Sequence, residues 1–206
     1  MAANRTDHPL ERLVFFSDAV FAIAITLLVI EIHQPDNVGD GAGATLEALA
    51  RLLPSFIGYA VSFAVIGAFW AGHHRAFCMA ARLGPGIIFW NLMLLGAIAF
   101  MPFVTSFMSG NYAKTAPSAV YWGWMLLTAL LNLRVNSLAT GPAMRAANVT
   151  AEAAADVPRR SRAVALAALT ALALSQLKPW LGPAGMATIP LWLLILRKLA
   201  KAPAAA

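Results

Sequence analysis

Residues 14–32 read VFFSDAVFAIAITLLVIEI, an apolar run long enough to cross a bilayer that carries a Ser-Asp pair near its start. As an α-helix, such a run extends about 28 Å, close to the thickness of a hydrocarbon core. Between Phe21 and Ile30 the only polar side chain is Thr26. A carboxylate at Asp18 is costly in that setting unless it is paired, hydrated or near the interface. Any fold for this chain must therefore bury a long apolar rod and also accommodate one acidic group at its end.

The remaining sequence repeats the apolar theme. Of 206 residues, 60% are hydrophobic and 12% charged, about half the charge of an ordinary soluble domain. The apolar residues come in continuous runs, which predicts an all-α integral membrane protein forming one transmembrane domain over residues 1–206. Cys78 is the single cysteine, which excludes an intrachain disulfide and a cysteine metal cluster. The N-terminal run is accompanied by Asp7 and Glu11, and no small-residue cleavage site follows it, so it reads as a retained helix and not a signal peptide.

Six segments are predicted to be helical: residues 14–32, 52–71, 87–108, 119–139, 163–177 and 181–196. Gln34-Pro35 ends the first, and PDNVGDGAGA follows as a loop. Pro102 lies inside the third, where neighbouring helices can satisfy the freed backbone. The alanine-rich residues before position 163 suggest a short interfacial helix. The last two segments are short, and they fit either two crossings or a re-entrant hairpin; crossing is the working expectation. With six crossings, only Arg51, Lys114 and Lys178 of the 15 lysines and arginines fall on one side. That positive-inside bias puts both termini in the cytoplasm and the chain in the cell (inner) membrane. The net charge of +6 is thereby accounted for by topology, without a nucleic-acid partner.

Arg12, Ser17 and Asp18 gather at the cytoplasmic end of the first helix. They read as a charge-assisted network tying it to neighbours, as a cation-attracting mouth, or as an interfacial cap. Ile23, Thr26, Leu27 and Ile30 share one helical face, which suits a pore lining with apolar constrictions or an ordinary packing face. His73 and His74 lack the spacing of a metal site, and a hydrogen bond to Asp18 or the third helix fits them better. Trp70 and Asn91 lie at similar depth. Gly58, Ser62, Gly67 and Gly96 suit close helix packing. There is no Walker, HExxH or GxSxG motif, so neither an enzyme nor a cofactor is expected.

The string Arg12-x-x-x-Phe16-Ser17-Asp18, continued by AVFAIAITLLV, resembles the first-helix signature of the bacterial TMEM175-type potassium channels. The resemblance implies a homotetramer of six-helix subunits embedded in lipid, with the first helix of each lining a central pore that K+ permeates. It assigns the main constriction to Ile23, further apolar layers to Leu27 and Ile30, and selectivity to Thr26. It also implies that Arg12, Phe16, Ser17 and Asp18 form a structural network with Trp70, His74 and Asn91, with Trp90 as a further member. The expected function is modest K+ over Na+ selectivity. A proton-permeable channel or secondary transporter using Asp18 and the histidines is the alternative, and a non-conducting scaffold is the third reading.

Overall fold

The structure, a computed structural model, describes residues 8–35 and 38–201. Arg5, counted on the basic side, lies outside the described residues, as does Asp36 in the loop after the first helix. The described residues form helices α1 (His8–Ile30), α2 (Ala42–Arg51), α3 (Leu53–Cys78), α4 (Ile87–Ala99), α5 (Met101–Ser109), α6 (Thr115–Ala139), α7 (Ala151–Leu177), α8 (Gly182–Met186) and α9 (Ile189–Lys201). A single 3-10 turn, Pro179–Leu181, joins α7 to α8. The chain is an all-helical bundle. Three rods are both long and apolar enough to cross a membrane: Pro9–Ile30, Leu53–Cys78 and Ile87–Ser109. Pro179–Met186 with Ile189–Ala200 adds a fourth if counted as one span bent by 46°.

Several helices differ in extent from the sequence expectation, each for a local reason. α1 begins before residue 14 because Pro9 is tolerated in a first turn, where its missing N–H costs nothing. α2 precedes α3 with a break at Leu52, and Pro54 occupies the first turn of α3. That second rod continues past Ala71 to Cys78, which carries both histidines inside a helix. Pro102 interrupts the third rod at Phe100 without deflecting it into a separate span. The alanine-rich segment before residue 163 is continuous with the next helix. Thr150 caps it by accepting from the Ala153 N–H at 3.2 Å, and Asp156 pairs with Arg159 and Arg160 across Pro158.

α1 packs on α3 and α4, and α6 packs on α4 and most extensively on α7. Tyr121 and Trp122 are buried at the start of α6. Ser62 on α3 bonds both Thr105 Oγ1 and the Tyr121 hydroxyl at 2.8 Å, joining three rods by side-chain oxygens. Toward the other end, Asn136 donates to Asn132 at 2.8 Å and to Ser161 at 2.9 Å, tying α6 to α7. Of the four small residues expected to pack closely, Ser62 and Gly58 do so, Gly58 against Thr105 and Ser109. Gly67 and Gly96 have no neighbour within 4 Å of an added Cβ. The loop after α3 is clipped to the loop after α6 by an antiparallel bridge between Ala80 and Arg145.

Two expectations follow from these contacts. An added Cβ at Gly185 would collide with the backbone of Ala171 on α7, so Gly185→Val should destabilise the chain by about 1–3 kcal/mol. A lowered melting temperature in detergent checks this, and an unchanged one would mean that α8 does not approach α7 so closely. The second concerns Asp156, in the polar arm of α7. Its hydrogen bond from Arg160, aided by the charges of Arg160, Arg197 and Arg159, outweighs desolvation and holds the carboxyl below its ordinary value of 3.8. A depressed folded value means that the contribution is full above 3.8 and is lost as pH falls through the lower folded value. Asp156→Asn should therefore cost up to about 1 kcal/mol at neutral pH and progressively less below pH 3.8. Melting curves of both proteins across that range test the convergence.

Candidate functional site

α1 has two faces with different surroundings. Phe21, Ala24 and Leu28 are buried against the rest of the chain. At 100° per residue, Ile23, Thr26, Leu27 and Ile30 occupy a sector roughly 100° wide on the opposite side. Ile23 is 57% exposed, Leu27 40% and Ile30 68%, and Thr26 is exposed as well. Only 22% of the apolar stretch of α1 is buried within the chain, near the 28% of Leu53–Cys78 and against 50% for Ile87–Ser109. The Thr26 hydroxyl donates to the Ile23 carbonyl at 2.9 Å, which occupies its proton and leaves oxygen lone pairs free.

A polar cluster fixes α1 near its other end. Ser17 is buried and donates to the Leu13 carbonyl at 2.7 Å. The same oxygen accepts from Asn91 Nδ2 on α4 at 2.9 Å. The Asn91 amide oxygen in turn faces His73 Nε2 on α3 at 2.9 Å. Since the amide nitrogen is committed to Ser17, Nε2 of His73 is the donor. One buried asparagine thus bridges three helices. His73 stacks on Phe77 with ring centroids 4.4 Å apart and also meets Phe21 at 5.5 Å. Its Nδ1 is buried without a partner. Beside this cluster the Trp70 indole N–H donates to Asp18 Oδ1 at 2.9 Å, at a more exposed level.

The residues singled out from the sequence are thus brought together unevenly. Ser17 and Asn91 meet, as do Asp18 and Trp70. The histidine that reaches Asn91 is His73 and not His74. Because α3 runs on to Cys78, the two adjacent rings point about 100° apart, and His74 lies outside the buried cluster. It stacks on Trp70 at 5.5 Å and lies 3.6 Å from the Cys78 sulfur. Arg12 makes no ion pair with Asp18; six residues apart on one helix, the two project about 120° from each other. Arg12 and Phe16 are instead exposed on the Ile23 side of α1. Trp90 lies under the Arg134 guanidinium, 5.4 Å from the ring centre, and forms a separate contact. Burial of His73 was foreseeable only with the correct end of α3, since residues 66, 69, 73 and 77 then fall on one helical stripe.

Residues 12–102 match the family model described as the endosomal/lysosomal potassium channel TMEM175. This chain is TMEM175-like. A protein named as a potassium channel in Streptomyces collinus is 40% identical over 123 residues, covering 58% of this chain and 59% of that relative. A potassium channel of Chamaesiphon minutus is 39% identical over 124 residues, covering 58% of this chain and 61% of the relative. The chain thus matches about three-fifths of the length of these curated relatives. A rat protein named as an endosomal/lysosomal proton channel is 33% identical over 99 residues, 45% of this chain and 20% of its own length. The fold also resembles the crystal structure of a TMEM175 homologue from Chamaesiphon minutus, described as a lysosomal potassium-selective channel. That likeness has a TM-score of 0.76 at 28% identity and covers 95% of this chain and all of the other. The TMEM175 family consists of ion channels, not enzymes.

The geometry of this TMEM175-like chain ranks its polar contacts. Asn91→Ala strands the His73 Nε2–H in a buried site and takes from Ser17 one of its two hydrogen bonds, so it should cost about 1–3 kcal/mol. Asp18→Ala removes one more exposed hydrogen bond and should cost about 1 kcal/mol. Thermal unfolding of the two variants in the same detergent checks the order, and equal or reversed losses would place the main attachment at Asp18.

Proposed function

We propose that this chain assembles as a homotetrameric potassium channel in the cell membrane, with six crossings per subunit and α1 lining the shared pore. The observation that carries the reading is the uncovered apolar stripe on α1 opposite its buried face. A helix fixed to its own bundle along Phe21, Ala24 and Leu28 has that stripe available to three symmetry-related copies. The names of the bacterial relatives supply the permeant ion. Lipid surrounds the assembly, and the basic ends of the helices face the cytoplasm with both termini.

In this assembly Ile23 forms the main constriction, with Leu27 and Ile30 as further apolar layers. An isoleucine ring supplies no oxygens, so conduction requires a partly hydrated ion and a ring wide enough to stay wet. Potassium passes more readily than sodium because it gives up part of its hydration at lower cost. Thr26 supports this preference, since its hydroxyl proton is held by the Ile23 carbonyl and its oxygen is free to accept a cation. One threonine layer is a weak filter compared with stacked carbonyls, and the discrimination is correspondingly modest. Arg12 and Phe16 lie at the mouth on the same face.

A second reading, proton permeation, is favoured by the proton-channel names of the vertebrate relatives. The Ser17–Asn91–His73 chain is poorly suited to relay that proton. It ends on the Leu13 carbonyl, and an amide does not readily exchange a donor for an acceptor role. Protons would instead use water in the pore. The decisive measurement is potassium and proton flux, followed separately, in liposomes containing the purified protein. The potassium reading expects K+ flux exceeding Na+ flux, and Ile23→Asn should raise conductance several-fold while weakening that preference. An unchanged variant would put Ile23 outside the pore. Proton flux without potassium flux would favour the second reading, and no cation flux would leave α1 a packing helix in a scaffold.

A further inference from the structure

A basic cleft lies between α3, α6, α7 and α9. Arg75, Arg160, Asn132 and Ser161 line a cavity of about 170 Å³ there, walled on its deeper side by Val164 and Leu193. Ala68, Val164 and Ile189 are shared with a second cavity of about 240 Å³, which continues along α3 to Val61 and is bounded by Pro183 and Met186. The two form one groove with a polar head and an apolar tail. Along α3, the 14 residue steps from Val61 to Arg75 extend roughly 21 Å. That exceeds the ~15 Å half-thickness of a hydrocarbon core, enough to run from the interface to the midplane.

The polar head carries surplus positive charge. Asp156 is the single carboxylate shared by Arg159, Arg160 and Arg197, at 3.4, 2.6 and 4.0 Å. Arg75 has no carboxylate within 4 Å among the described residues, and only its Nε is engaged, by the Ala71 carbonyl at 3.1 Å. Arg75 lines the cavity, and its two terminal nitrogens have no protein partner among the described residues, which leaves a planar, bidentate fork for an anion. Arg160 stands where the polar arm of α7 gives way to its apolar stretch, so the charged groups sit at headgroup depth and the apolar walls below them. Basic pockets between helices at that level suit anionic lipid headgroups. We propose that this groove binds one anionic glycerophospholipid, its phosphate held by Arg75 and Arg160 and one acyl chain lying along α3 over Ala68, Val164 and Ile189. The site is independent of which ion the chain conducts.

Native mass spectrometry of the purified full chain, titrated with phosphatidylglycerol, phosphatidylcholine of the same acyl chains, or glycerol 3-phosphate, tests this directly. Phosphatidylglycerol should bind at least about fivefold more tightly than phosphatidylcholine, the worth of roughly one interfacial guanidinium. Arg75→Gln should weaken phosphatidylglycerol by about that factor and phosphatidylcholine, whose choline cation offsets its phosphate, by less, so that most of the preference is lost, while Arg75→Lys retains most of it. Val164→Trp, which fills the apolar limb, should weaken both lipids. Equal binding of the two lipids, or an unaffected Arg75→Gln protein, would overturn the site. Competition by glycerol 3-phosphate as strong as by the intact lipid would overturn the acyl-chain assignment and leave a plain anion pocket.

Discussion

The rest of the structure depends on how α1 is held. A long apolar helix in lipid gains little by leaving lipid for protein, because both surroundings are hydrocarbon. What distinguishes its bound position is shape and hydrogen bonding. Ser17 is the fully buried polar side chain of α1, and Asn91 satisfies it from α4 while holding His73 on α3. Such bonds average well under 2 kcal/mol each in membrane proteins, but their direction matters as much as their strength. An amide with both ends engaged admits one rotation of α1. That rotation decides which side chains are buried and which are left uncovered.

The C-terminal half meets the same difficulty by a different route. α7 presents Ala163, Ala167, Ala168 and Ala171 to its neighbours, all fully buried, and Gly185 lets α8 approach the α7 backbone. Close approach raises dispersion contact where no hydrophobic gain exists. Asn132, Asn136 and Ser161 then fix α6 against α7 by hydrogen bonds. Asn132, Asn136 and Ser161 thereby face protein, and with the charged residues of the polar arm of α7 they leave both helices long enough to span yet short on apolarity alone.

The same contrast explains what the sequence made legible. A continuous apolar run with a Ser-Asp pair announces a membrane helix, and FSD followed by AVFAIAITLLV is specific enough to indicate a family. The family match covers residues 12–102, whereas the likeness in fold extends over 95% of the chain. Beyond α5 the fold is specified by alanine, glycine and amide contacts that leave no compact motif, so hydropathy alone had to find the helices. It cut α7 short at residue 163, since Arg159, Arg160 and Arg162 look like a loop until the pairing of the first two with Asp156 is known. It divided α8 from nothing, because a bend at Ala187 and Thr188 between two apolar stretches carries no hydropathy signal. The division between the histidines, His74 on Trp70 beside Asp18 and His73 on Asn91, has the same origin. Adjacent residues on a helix differ by about 100°, and ending α3 at Ala71 removed the periodicity that would have turned His73 inward.

The names attached to the relatives disagree about the ion, and the proposed pore makes that disagreement physically reasonable. A stacked-carbonyl filter selects by replacing a hydration shell with fixed oxygens, and it excludes ions that fit poorly. A ring of isoleucines replaces nothing. Its barrier is the work of wetting an apolar constriction and of removing part of the ion's water. That work orders potassium ahead of sodium but only by the difference in their dehydration, which is spread over whatever water remains. A proton needs no such passage as a solvated particle, because a file of water through the wetted ring suffices. Potassium preference and proton permeation are then consequences of one constriction in different states of hydration. In that proposed pore the side chain that tips the balance is the one that sets how readily the ring wets, the role we propose for Ile23, with the Thr26 oxygen one turn beyond it.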